Sequence, residues 1–165
     1  MANKFTIRKI IAQDVDFILV AFDWQSREQW LRYLEENQSG QRITLLAVQD
    51  ERILGYTNLV WQSDYPPFFE QDIPEINNMH ILPDYQHQGI GTALIQACET
   101  LVRQTGRSVI GIGVAQAENY AAAQRLYPFL GYFPDGRGLV PTQWGDILYS
   151  TKDLTYTGNV SGCIE

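Results

Sequence analysis

The chain has 165 residues, 45% hydrophobic and 19% charged, a globular profile with room for one domain and a sizeable core. Its net charge of −7, with no compensating Lys/Arg cluster, excludes a basic face for nucleic acid and mildly favours cationic ligands such as amines. No apolar run reaches bilayer length and "MANKFTIRKI" has no apolar signal core, so no membrane segment or leader is expected and a reducing cytoplasm is the simplest setting.

"KFTIRKI", residues 4–10, alternates as a strand. A helix over 12–24 follows, with Asp14 as N-cap and Val15, Ile18, Leu19 and Phe22 on one face. A second helix opens at Ser26, with Gln29 at the capping-box offset, carries Trp30, Leu31 and Leu34, and stops by Gly40. "RITLLAVQD" and "ILGYTNLVWQS" form an antiparallel pair around a turn at 50–52. "DYPPFFEQDIPE" reads as a Pro-rich loop with unusual aromatics, Tyr65, Phe68 and Phe69, and "EINNMHILP" as a strand closed by Pro83. "GIGTALIQACETLVRQTG" is a long amphipathic helix carrying Ile90, Leu94, Ala97 and Leu101, with Gly106 as its stop. Then come a strand, "SVIGIGVA", a helix, "ENYAAAQRLYPFLGY", a turn, "FPDGRG", and a final strand over 146–154. The class is α/β (α+β), in one domain over 1–154 with a loosely held tail over 155–165. Trp24, Trp30, Trp61 and Trp144 read as core or packing residues, and Trp61 with "YPPFF" as an alternative lining for a substrate pocket. Cys98 reads as a buried thiol and Cys163 lies in the tail; neither has metal-site spacing, and no metal is expected.

"PDYQHQGIGTAL", residues 83–94, places a glycine turn between a strand and a helix N-terminus. Free N–H groups and the helix dipole favour an anion there, and glycines at 89 and 91 leave room for a phosphate. A Walker A loop needs a lysine that is absent. A dinucleotide fingerprint needs a third glycine, where Leu94 stands, and an acidic residue ending the next strand. Coenzyme A is the third class.

Here the sequence resembles the GNAT superfamily of acyl-CoA-dependent N-acetyltransferases. The motif Arg/Gln-x-x-Gly-x-Gly/Ala is matched by Gln86, Gly89 and Gly91, and the preceding strand end by Ile81, Leu82, Pro83 and Tyr85. A second motif is matched by Asn119, Tyr127, Leu130, Gly131 and Tyr132. The resemblance spans residues 4 to about 154. It implies a central mixed, mostly antiparallel twisted sheet of about seven strands, flanked by about four helices and splayed at the motif strand.

It also implies a site and a reaction. Backbone groups around Met79 and Ile81 would bind pantetheine, Gln86, His87, Gln88, Gly89, Ile90, Gly91 and Thr92 the pyrophosphate, and Asn119 the pantetheine region from the second helix. The implied reaction is direct attack of a primary amine, on a small molecule or peptide, on acetyl-CoA. It needs a base, an oxyanion donor and an acid for the thiolate. A strand N–H near Met79 is the implied donor and Tyr127 the implied acid, since a phenol is protonated at neutral pH. Two bases compete: Glu75, eleven residues before Gln86, and His80, which regular strand parity would put on the opposite face unless a bulge intervenes. A non-catalytic acyl-CoA-binding module is the alternative reading of the whole chain, and a homodimer is compatible with the family. Two departures stand out. His87 and Gln88 supply no fixed cation, which predicts modest coenzyme A affinity, and Pro128 predicts a kink or end of the helix near Tyr127.

Overall fold

The computed structural model describes residues 4–155; the segment "YTGNVSGCIE", with Cys163, lies outside the described residues. Strand β1 (Thr6–Lys9) is followed by helices α1 (Val15–Ala21) and α2 (Arg27–Ser39), then by the hairpin β2 (Arg42–Gln49) and β3 (Arg52–Val60). A short helix α3 (Pro66–Glu70) leads to β4 (Glu75–Ile81), α4 (Ile90–Gln104), β5 (Val109–Ala115), α5 (Ala121–Phe129) and a closing hairpin of β6 (Phe133–Thr142) and β7 (Gly145–Asp153). The seven strands make one sheet in the order β1-β2-β3-β4-β5-β7-β6. Every pair is antiparallel except β4–β5. Among the described residues no helix is long and apolar enough to cross a membrane.

Both faces of the sheet are covered. On one, Leu94, Ile95, Cys98 and Val102 of α4 pack with Leu59, Ile76, Ile110 and Ile112, and α5 adds Tyr127. The buried stripe of α4 thus centres on Ile95, Cys98 and Val102, while the expected Ala97 and Leu101 lie at its partly buried margin. On the other face Ile18, Phe22, Trp30 and Tyr33 meet Leu46, Ile53 and Tyr56. A smaller cluster beside them joins Tyr65, Phe68, Ile73 and Tyr149.

Local chemistry explains the helix ends. The Ser26 hydroxyl accepts the Gln29 N–H at 3.2 Å, and Gly40 closes α2 with φ 82°, a conformation glycine adopts without strain. Asp14 stands at the start of α1 without capping it by its side chain. Its carboxylate instead accepts the Ile11 N–H at 2.8 Å and both arms of the Arg8 guanidinium at 2.7 and 2.8 Å. Burial alone would raise its pKa, but these bonds outweigh it and hold the carboxyl below its usual range.

Three expectations are corrected. The "YPPFF" loop contains α3, because Pro66 at its first position presets the helical φ. "FPDGRG" begins edge strand β6, whose irregularity between Pro134 and Leu139 absorbs the glycines. Trp144 is exposed, at 78%, and Trp24, though half exposed, packs its ring on Phe22 and His80, so only Trp30 is wholly in the core. Helix α5 runs through Pro128 and ends at Phe129, two residues past Tyr127, in keeping with the expected end near Tyr127. Proline so near the C-terminus deletes only one helical bond, and the last carbonyls are taken up otherwise. The Tyr132 N–H reaches the Tyr127 carbonyl at 3.0 Å and the Gly131 N–H that of Pro128 at 3.1 Å, with Gly131 at φ 95°. This is a Schellman closure, and it brings the Tyr127 and Tyr132 rings to 6.3 Å.

Candidate active site

The site is built where β4 leaves β5. Their parallel ladder contains only Glu75↔Gly111 and Ile76↔Ile112. From Asn77 onward β4 pairs with β3 alone, so its other edge is open toward β5. On the β3 side the register shifts by one between Asn58↔Asn77 and Tyr56↔His80. Asn78 and Met79 therefore stand opposite Thr57, and Asn78 takes φ 52°, the signature of a bulge.

The bulge decides which side chains meet. Val60 and Tyr56 are four apart on β3 and share a face; their partners Glu75 and His80 therefore share it too. A regular strand would have separated the two candidate bases. Asn77 lies between them on that face. Met79 and Ile81 turn to the other face, against Gly91 of α4: a Cβ on Gly91 would lie 3.2 Å from Ile81 Cδ1, 3.6 Å from Met79 Cε and 3.6 Å from Leu126 Cδ2.

Glu75 is 8% exposed. Its Oε2 accepts the Ser63 hydroxyl at 2.5 Å, and its Oε1 lies 3.3 Å from where a Cβ on Gly113 would stand. Gly113 is the first β5 residue beyond the parallel ladder, so the carboxyl sits at the vertex of the opening. Burial pushes its pKa up to about 7; the Ser63 hydrogen bond opposes this and the Asp64 charge adds to it. His80 packs against Trp24, ring centres 4.9 Å apart, and Tyr56, at 5.3 Å. Burial lowers its pKa, which favours the neutral imidazole.

The turn after β4 offers main-chain donors. His87 and Gly89 have φ 60° and 83°, and Gly89 is the N-cap of α4. The first helical bond of α4 runs from the Ala93 N–H to the Gly89 carbonyl, which leaves the N–H groups of Ile90, Gly91 and Thr92 without helical partners. Gln86 is drawn back by its own side chain, which donates to the Ile81 carbonyl at 3.3 Å, and Gln88 donates to that of Asp84 at 3.2 Å. Ile90 is buried under the turn, while His87 and Gln88 are exposed. Asn119 lies in the 3-10 turn Glu118–Tyr120 that leads into α5. Tyr127 is 6% exposed, and burial pushes its hydroxyl pKa up; among the described residues none hydrogen-bonds that hydroxyl.

Sequence reading singled out Tyr65 but missed Ser63, Gly113 and Tyr149, which completes the aromatic wall behind Glu75. There Tyr149 stacks on Tyr65 at 3.7 Å, and the Tyr65 hydroxyl donates to Asp135 at 2.7 Å. The alternating glycines of "VIGIGVA" were an available signal, since Gly111 and Gly113 strip one face of β5 where other side chains press in. Trp61 is not part of this wall: its ring lies 5.2 Å from the Arg107 guanidinium. Tyr65 and Phe68 belong to the packed cluster around Tyr149, and of the loop aromatics only Phe69 is exposed.

A mixed sheet parted at one strand, with a glycine turn and a helix mouth at the opening, is the framework of an acyl-CoA-dependent acetyltransferase. The acetyltransferase (GNAT) family model matches residues 10–132, and the chain belongs to that family. Among solved structures it is similar to the PaiA N-acetyltransferase of Thermoplasma acidophilum in complex with coenzyme A, at 18% identity over 93% of this chain and 99% of that one, with TM-score 0.69. It is similar to yncA of Salmonella typhimurium with its cofactor acetyl-CoA, at 19% identity over 98% and 100%, with TM-score 0.71. A third is the ribosomal-protein-alanine N-acetyltransferase of Brucella melitensis, at 20% identity over 90% and 99%, with TM-score 0.70. No curated protein sequence matches the chain.

Proposed function

We propose that the protein is an N-acetyltransferase that moves the acetyl group of acetyl-CoA to a primary amine of a small molecule or peptide by direct attack. The observation that carries this reading is the parting of β4 from β5 after Ile76 and Ile112, opposite the unpartnered N–H groups at the mouth of α4. The open edge of β4 suits the pantetheine amides as an added strand, through the main chain near Met79 and Ile81. The turn Gln86–Thr92 suits a pyrophosphate, and Gly91 keeps the helix mouth close to Ile81 and Met79. Asn119 is assigned to the pantetheine side by its place at the start of α5.

Acetyl-CoA supplies the thioester; the chain supplies the proton traffic. Glu75 takes the proton of the amine, directly or through a water, because its raised pKa lets it accept a proton near neutral pH. His80, brought to the same face by the bulge, is the second candidate. A main-chain N–H near Met79 donates to the oxygen on which charge develops. The Tyr127 hydroxyl, kept protonated by burial, gives its proton to the departing thiolate.

The test has two stages. Acetyl-CoA and coenzyme A should raise the melting temperature and NAD should not. Thiol release over a panel of amines should then require an amine, and Tyr127→Phe should slow turnover while acetyl-CoA still stabilises the variant. Binding without amine-dependent release would leave a non-catalytic acyl-CoA-binding module instead.

A further inference from the structure

Ser63 is buried at the end of the segment that follows β3, twelve residues before its partner Glu75. Its oxygen accepts the Tyr65 N–H at 3.0 Å, a serine turn that starts the connection into α3. With that side of the oxygen occupied, the hydroxyl hydrogen is directed at Glu75 Oε2, 2.5 Å away. Tyr65 is itself immobilised by its stack on Tyr149 and its bond to Asp135. The hydroxyl is therefore held from two sides, and among the described residues it is the only hydrogen-bond donor to the Glu75 carboxyl.

We infer that Ser63 is a positioning residue for Glu75: it fixes the carboxyl at the vertex of the β4–β5 opening, favours its ionised form, and couples it to the turn that begins the α3 connection. The inference rests on the proposed role of Glu75 as base. The surroundings leave this task to Ser63. Opposite Glu75, β3 presents Val60 and β5 presents Gly111 and Gly113. The α3 segment presents Phe68 over Gly111, and β7 presents Tyr149, a phenol whose pKa burial pushes up to about 12. On β4 itself the same face carries neutral Asn77 and, beyond it, His80. Among the described residues the one fixed charge acting on Glu75 is Asp64, which opposes ionisation, and only the Ser63 hydroxyl favours it.

The sign of the effect follows. A hydrogen bond to the carboxylate lowers the pKa of the carboxyl, so its loss raises that pKa further above 7. A base must be ionised to accept a proton, so the acid limb of kcat/KM against pH should move upward. Ser63→Ala should shift it by roughly one pH unit, the scale expected for a hydrogen bond to a charged group. Ser63→Thr, which keeps the hydroxyl, should restore it, and Ser63→Cys, a weaker donor of similar shape, should fall between. Glu75→Gln should remove the limb. Acetyl-CoA stabilisation, measured on every variant, reports folding, and the Cys variant carries the test should Ala fail to fold. An unmoved limb in Ser63→Ala or Ser63→Cys, alongside its loss in Glu75→Gln, overturns the inference alone. A limb that survives Glu75→Gln overturns the base assignment and this inference with it.

Discussion

Glu75 is a carboxyl group taken out of water with a single hydroxyl for company. Its pKa of about 7 exceeds the ordinary value of 4.5, so the sign of its effect on stability is set. Below 4.5 the folded and unfolded chains are both protonated here. Between 4.5 and 7 the unfolded chain loses its proton first, and stability falls as pH rises; above 7 the loss is complete. Glu75→Gln keeps an acceptor for Ser63 and removes the charge. It should therefore be more stable than the parent at pH 8 by on the order of 3 kcal/mol, and close to it at pH 4. Denaturant melts at the two pH values measure the difference; equal gaps would mean that the buried carboxylate is solvated after all. A gain in stability at the expense of turnover is the expected trade at a site that keeps a charge in an apolar wall. Glu75 was singled out in the sequence as one of two candidate bases by the family resemblance, eleven residues before Gln86. Ser63 was not, because its partnership crosses twelve residues and depends on how a turn aims one hydroxyl.

At the level of elements, β4 carries both the opening toward β5 and the bulge. Nothing in "EINNMHI" announces an extra residue: Asn78 is the only hint, as a residue type that tolerates positive φ. The opening depends on neighbours as well. Phe68 of α3 lies on Gly111, at the foot of the β4–β5 ladder: a Cβ there would collide with Phe68 Cε2 and stand 2.7 Å from Cζ. The ring is 1% exposed and cannot swing aside. Gly111→Ala should cost about 2 kcal/mol or more through overpacking, read as a lower urea midpoint with an unchanged slope. A neutral substitution would mean that α3 can lift off the sheet. Helix α5 gives the converse case. Pro128 pointed to a kink or end near Tyr127, and the helix does end two residues on, at Phe129; the closure around Gly131 holds that last turn together, which gives the spacing of Tyr127 to Gly131 and Tyr132 a structural cause.

For the whole molecule the relevant quantity is charge. The chain carries −7, and the turn Gln86–Thr92 contains no lysine or arginine to hold a pyrophosphate. Its hold would come from neutral N–H groups and the helix dipole, against a net repulsion. Coenzyme A affinity should then be micromolar rather than nanomolar. It should stay level or rise as salt increases to roughly 0.5 M, since screening weakens the repulsion more than it weakens short hydrogen bonds. Titration calorimetry at two salt concentrations decides this; a steep fall with salt would reveal a lysine or arginine clamp.

By itself the sequence determined what repeats locally: the periodicity of strands and helices, the caps at Ser26 and Gly40, and the glycine turn before α4, all governed by backbone sterics and residues close in the chain. Through the family resemblance it also marked Glu75 as a candidate base and Tyr127 as a candidate acid. The resemblance put the parting on the motif strand; tertiary structure decided that it falls after Ile76 and Ile112, that a bulge carries Glu75 and His80 to one face, and that Ser63, Gly113 and Tyr149 surround the carboxyl. Those outcomes depend on register and packing between segments distant in sequence, where a shift of one residue exchanges the two faces of a strand.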